Sequence, residues 1–161
     1  MSEDNASNMP IANTSAANAD TAKLPNAATK EVKAVDATDQ ITVMLVNDNK
    51  SICQLWERVI NRAEGMLCVG FAINGEDAIE LARQQVPQIV LMDVMMPGRY
   101  NGYDATRVIV SEMPDVRVII YSAYTNTQNE AYEAGASEYL LMPITPDKLL
   151  DTIREVANSA Q

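Results

Sequence analysis

From residue 41 to about residue 158, short apolar runs alternate with segments whose apolar residues recur at helical spacing, and this alternation constrains the fold more than any other feature. The first run, ITVMLV (41–46), is continuous and partly β-branched, the texture of a strand covered on both faces. In Ser51–Ala63, the residues Ile52, Leu55, Trp56, Val59 and Ile60 mark one buried helix face. MLCVGFAI, from Met66, reads as a second strand. Gly75–Gln85 reads as a helix carrying Ala78, Ile79, Leu81 and Ala82, and it stops before Pro87. QIVLMD is a third strand ending on Asp93, residues 103–112 form the next helix, and Pro114 marks the turn after it. VRVIIYSA is a fourth strand, Thr127–Ala134 a short helix with Gly135 as its C-cap, and EYLLM a fifth strand. Thr145, Pro146 and Asp147 then supply an N-cap, a proline at the first helical position and an acid in the first turn of a last helix.

Strands and helices in strict alternation require right-handed crossovers and a parallel sheet covered on both sides. The expected fold is α/β, a doubly wound five-stranded parallel sheet of order 2-1-3-4-5. In that topology ligands sit outside the carboxyl ends of the strands, at the switch point between the first and third. Residues 1–39 differ in texture. They are rich in Ala, Asn, Thr and Ser, contain two prolines and show no sustained hydrophobic period. Such a segment cannot bury enough apolar surface to offset the entropy of ordering, so the expectation is a disordered N-terminal tail at 1–39 and one folded domain at 40–161.

Charge and composition narrow the function. The tail holds 3 basic and 6 acidic side chains, and residues 40–161 hold 9 and 16, so the folded part is acidic by itself. Phosphate repulsion then argues against nucleic acid as a partner. No run approaches the roughly 20 apolar residues of a membrane helix, and the opening MSEDNASN lacks the basic start of a secretory signal. The expected location is the cytoplasm, with no membrane partner. Cys53 and Cys68 read as small core residues, one on a helix and one on a strand. Without histidine, zinc and haem sites lack ligands.

The strand ends carry the chemistry. The first strand runs into Asn47-Asp48, the third ends on Asp93, the fourth on Ser122-Ala123, and the fifth leads to Met142-Pro143. In the expected strand order Asp48 and Asp93 lie side by side. Two such carboxylates repel unless a cation or proton intervenes, and magnesium commonly takes one or two carboxylates, carbonyls and waters. A carboxylate beside such an ion can accept a phosphoryl group as a nucleophile.

With VNDN after the first strand, VLMDVMMP around the third, NGYDA opening the next helix, YSAY after the fourth and YLLMP at the fifth, residues 41–158 resemble a response-regulator receiver domain of flavodoxin-like fold. The resemblance implies that Asp93 is the phosphoacceptor and that Asp48 and Asp93 hold Mg2+ together with the backbone carbonyl of Met95. It implies that Asn47 reaches the metal through water, that Ser122 contacts the phosphoryl group and that Tyr139 is the aromatic switch residue. Ala123 keeps the phosphoryl group accessible, and the Met142-Pro143 bond corresponds to one usually cis in the family.

Three positions depart from the family pattern. Asn47 stands where a second acid is usual, which implies weaker metal binding. Met142 stands where a lysine is usual, and a thioether supplies neither charge nor donor; Lys50 and Arg99 are the substitute cations within the sequence's reach. Gly98-Arg99-Tyr100-Asn101-Gly102 carries a one-residue insertion. The expected function is a stand-alone receiver, not an enzyme, that takes a phosphoryl group from a histidine kinase or phosphotransfer protein and signals through a separate partner protein. The alternative is a pseudo-receiver, an interaction module that works without phosphorylation. A haloacid-dehalogenase-like phosphatase is disfavoured because Met95 occupies the position of its second acid. A dinucleotide site is disfavoured because VNDNKS lacks a glycine-rich turn.

Overall fold

The computed structural model describes residues 39–159. The disordered tail expected at 1–39 therefore lies, apart from Asp39, outside the described residues. The elements follow the expected alternation: β1 Ile41–Val46, α1 Lys50–Arg62, β2 Met66–Ala72, α2 Gly75–Gln85, β3 Ile89–Asp93, α3 Gly102–Glu112, β4 Arg117–Ser122, α4 Gln128–Glu133, β5 Glu138–Leu141 and α5 Pro146–Asn158. The strands form one parallel sheet in the order β2-β1-β3-β4-β5.

Strand side chains alternate between faces, so each strand contributes to two cores. Val43, Leu45, Ile89, Leu91, Ile119 and Tyr121 point to one side and pack with Trp56 and Ile60 of α1 and Leu149 and Ile153 of α5. Met44, Val46, Val90, Met92, Val118 and Ile120 point to the other and meet α2, α3 and α4 through Ile79, Ile109 and Ala131. The continuous apolar runs of β1, β3 and β4 are thus explained by coverage on both faces.

Helix ends follow local chemistry. Asn49, Asn74, Asn101 and Thr145 cap α1, α2, α3 and α5, each accepting a backbone N–H. Gly135 follows α4 with a positive φ of 98°, as a C-terminal glycine should. The helix α2 ends differently. Its cap, Val86, has left-handed backbone (φ 42°) on an exposed β-branched residue just before Pro87, a conformation that only surrounding constraints impose.

Two core assignments shift. Leu55 is 55% exposed, whereas Cys53, read as a core residue, lies in the buried stripe with Trp56 and Ile60, because steps of three and four from Cys53 stay in phase and Leu55 is turned off that face. Cys68 is only half-buried, since β2 is an edge strand. Among the described residues no helix is long and apolar enough to cross a membrane.

Candidate functional site

The carboxyl ends of β1 and β3 bring the sequence-marked acids to one rim. Val46 is in register with Met92, so the residues one step further, Asn47 and Asp93, continue the same row. Asp93 is in register with Tyr121 on β4. Period-two alternation then puts Asn47, Asp93 and Tyr121 on one face of the sheet's edge. The hydrogen bonds agree: Asn47 Nδ2 donates to Asp93 Oδ2 at 2.9 Å and to the Tyr121 hydroxyl at 2.7 Å. Asn47 Oδ1 accepts from Asn49 N–H at 2.8 Å, which orients the amide, and Asn47 is buried.

Asp93 is half-buried, and its carboxyl is held above the ordinary aspartate range. Burial is the main cause. The negative charge of Asp48 adds to it, while hydrogen bonds from Met95 and Val94 N–H groups oppose it. The acidic pair anticipated from the strand ends therefore interacts. Asp48 itself is exposed, as is Met95.

The loop after Asp93 is shaped by two glycines. Gly102 opens α3 where a Cβ would fall 2.1 Å from the carbonyl oxygen of Asp93 and 2.8 Å from Cα of Val94, and its N–H donates to Val94 O at 3.0 Å. Only glycine lets the helix start so close to β3, which gives the Asn-Gly pair its physical reason. Gly98, at φ 109°, lies against the Glu76 carboxylate, whose Oε1 accepts Arg99 N–H at 2.7 Å. The loop at 98–102 is thus moored to the first turn of α2.

Ser122 is buried, and its Oγ accepts Tyr124 N–H at 3.2 Å. Tyr139 is also buried; its hydroxyl pairs with Thr127 Oγ1 at 3.1 Å and donates to the carbonyl of Tyr124. Ser122 and Tyr139 thus both attach to the segment after β4, while Asn47 contacts Asp93 directly. Met142 N–H donates to Ser122 O at 2.8 Å, its side chain packs on the apolar cluster of Trp56 and Tyr121, and the Met142-Pro143 bond is cis. Neither substitute cation pairs with Asp93. Among the described residues the ion pairs are Arg83 with Glu80 and Glu112, Arg107 with Asp104, and Arg154 with Asp151. The Arg99 guanidinium lies 5.3 Å from the ring centre of Tyr100, and Lys50 borders a cleft with Phe71, Asp77 and Leu81.

The rim supplies oxygen donors suited to a hard divalent cation: the carboxylates of Asp48 and Asp93 and the carbonyl of Met95. No group of three or more His, Cys, Asp or Glu residues gathers to hold a metal among the described residues. Two carboxylates completed by carbonyl and water are nevertheless a set that magnesium accepts, and a cation would offset both the burial and the smaller repulsion from Asp48 that raise the Asp93 carboxyl. The residues present fit the ion. Tyr121 is the site residue that inspection of strand ends overlooked. Its hydroxyl enters the site only through the β3–β4 register, although its place just before Ser122 was a usable signal.

Fold and rim together define a doubly wound α/β protein with an acidic pair at the switch point of its sheet. The family described as response regulator receiver domain matches residues 43–154, and the chain belongs to it. The transcriptional regulatory protein YxjL of Bacillus subtilis (strain 168) is 36% identical over 121 residues, covering 74% of this chain and 55% of its own length. Response regulator UvrY of Escherichia coli (strain K12) is 35% identical over 118 residues, covering 72% of this chain and 54% of its own. The chain spans about half the length of these curated relatives. A LuxR-family two-component response regulator from an Aurantimonas species superposes with a TM-score of 0.70 at 30% identity, covering 74% of this chain and 86% of that one. The response regulator domain of Thermotoga maritima CheB does so at 0.68 and 29%, covering 74% and 97%. The names of YxjL and of other relatives describe transcriptional regulation, so the argument against nucleic acid applies to the acidic unit at 40–161 and to nothing beyond it.

Proposed function

We propose that this receiver takes a phosphoryl group on Asp93 from a histidine kinase or phosphotransfer protein and passes the signal to a separate partner protein. The observation that carries this reading is the half-buried Asp93 carboxylate at the carboxyl end of β3, hydrogen-bonded by Asn47 and electrostatically coupled to Asp48. Asp48, Asp93 and the Met95 carbonyl would hold Mg2+, which supplies positive charge against the incoming phosphoryl oxygens. Asp93 Oδ1 lies 3.4 Å from Met95 N–H and Oδ2 faces Asn47, so the carboxylate is oriented from two sides. The buried Ser122 hydroxyl stands at the end of the neighbouring strand for phosphoryl contact. Tyr139, tied to Thr127 and Tyr124, is placed to report a change in the segment after β4.

Incubation with a small phosphodonor and magnesium is expected to give an acid-stable, base-labile adduct that is absent in Asp93→Asn. Lack of an adduct from every donor and kinase tried would refute the reading. One observation favours a second reading: among the described residues no lysine or arginine pairs with Asp93, and Met142 faces apolar neighbours instead. In that reading the domain is a pseudo-receiver, and partner binding is the same for wild type and Asp93→Asn.

A further inference from the structure

The Tyr121 hydroxyl has no assigned part in the site, yet it is buried within hydrogen-bond distance of a residue that touches Asp93. Tyr121 and Asn47 are each 2% exposed, so neither can turn to water for a missing partner. The Asn47 amide has two N–H donors and one acceptor oxygen. One donor goes to Asp93 Oδ2 at 2.9 Å and the other to Tyr121 Oη at 2.7 Å, while the oxygen is held by Asn49 N–H at 2.8 Å. The tyrosine O–H in turn points at Val46 O, 3.4 Å away. Every donor in this chain has an acceptor, and each link runs in one direction.

Such a chain allows one amide orientation. If the amide turned over, its oxygen would face the Asp93 carboxylate and its NH2 would face Asn49 N–H, placing acceptor against acceptor and donor against donor. The tyrosine ring is itself locked, packed in the cluster of Leu45, Trp56 and Leu91. Beside it lies Met142, which brings no donor to the acceptor carboxylate. We propose that Tyr121 is a positioning residue of the acceptor site: through its hydroxyl it clamps the Asn47 amide so that a neutral N–H is directed at Asp93, in a site where, among the described residues, no side-chain cation pairs with Asp93. This rests on the reading of Asp93 as phosphoacceptor. Asn47 is therefore a directed donor as well as a neutral replacement for an acid: Asn49 N–H and the Asp93 carboxylate set which way the amide faces, and Tyr121 of the neighbouring strand β4 holds its second N–H in place.

The test uses the full chain with Tyr121→Phe, Asn47→Ala and the double variant. Tyr121→Phe keeps the ring and its packing, and thermal unfolding checks that the fold persists. With a small phosphodonor and magnesium, Tyr121→Phe is expected to slow labelling of Asp93 by about tenfold, the scale of one buried donor left without its partner. In the Asn47→Ala background the same substitution should change nothing further. Equal slowing in both backgrounds, or no slowing in either, would overturn the proposal. A second measurement needs no phosphoryl chemistry. The side-chain amide protons of Asn47, assigned by their loss in Asn47→Ala, should be separate and slow to exchange with solvent in the wild type. In Tyr121→Phe they should draw together and exchange at least about tenfold faster, as one bond of the clamp is gone. Unchanged amide signals would overturn the clamp. If no variant labels while the amide signals respond as expected, the clamp is upheld and the phosphoacceptor reading alone fails.

Discussion

The surroundings of Asp93 disfavour its charged form, mainly through burial, and this has a measurable cost. Its carboxyl is raised above the ordinary range, mainly by burial, so folding favours the protonated form. Below the unfolded-state value of about 3.9 both states are protonated and this group does not oppose folding. As pH rises through the folded-state value that advantage is lost, and at neutral pH the charged carboxylate destabilises the fold. Asp93→Asn is accordingly expected to raise the unfolding temperature at pH 7, with the gain fading toward pH 3; equal gains at both pH values would contradict the assignment. Magnesium should raise the wild-type unfolding temperature by binding only the folded form, and Asp48→Ala should abolish most of that rise. Met142→Lys should speed labelling by about tenfold or more, since a preorganised cation or donor at a reacting oxygen contributes on that scale. Cys53 lies at the opposite extreme of reactivity: burial pushes its thiol up to about 11, so thiol reagents at neutral pH should modify it only as the protein unfolds.

Elements explain why these residues meet, and also what could be read in advance. The ten-element alternation, the strand order and the caps at Thr145 and Gly135 were legible because each rests on local periodicity or on one residue's backbone preference. The acids at the strand ends were legible because topology places all carboxyl ends on one rim. What was not legible depends on side-chain direction. Leu55 fell outside the core because an amphipathic helix tolerates several apolar residues at the border of its buried face. Tyr121 joined the site only through register, and the orientation of Asn47 only through three hydrogen bonds from different elements. Lys50 and Arg99 are near Asp93 in loop order but do not pair with it. The helix α2 offers a separate test. Val86→Asn should relieve the left-handed strain at the cap and raise stability by about 0.5–1 kcal/mol, since a left-handed backbone costs β-branched residues roughly 1–2 kcal/mol. Urea unfolding measures it, and a destabilised variant would contradict the strain assignment.

At the scale of the whole molecule, two apolar cores clamp a parallel sheet whose carboxyl edge carries the polar residues. The acceptor loop, the segment after β4 and the start of α2 all emerge there. The Glu76 mooring of the loop at 98–102 and the Tyr139 link to Thr127 and Tyr124 therefore lie beside the same rim. An open cleft of about 400 Å³ is bordered by Val94 and Met95 just after Asp93 and by Tyr103, Tyr124, Thr127 and Glu130. The account as a whole depends on whether Asp93 forms an acyl phosphate. The direct measurement is to treat the full chain with a small phosphodonor and magnesium, reduce any acyl phosphate with borohydride, and map the altered residue by tandem mass spectrometry. The account predicts modification at position 93 and at no other carboxylate. An unmodified Asp93 under conditions that label a known receiver, or a modification at another acid, would contradict it.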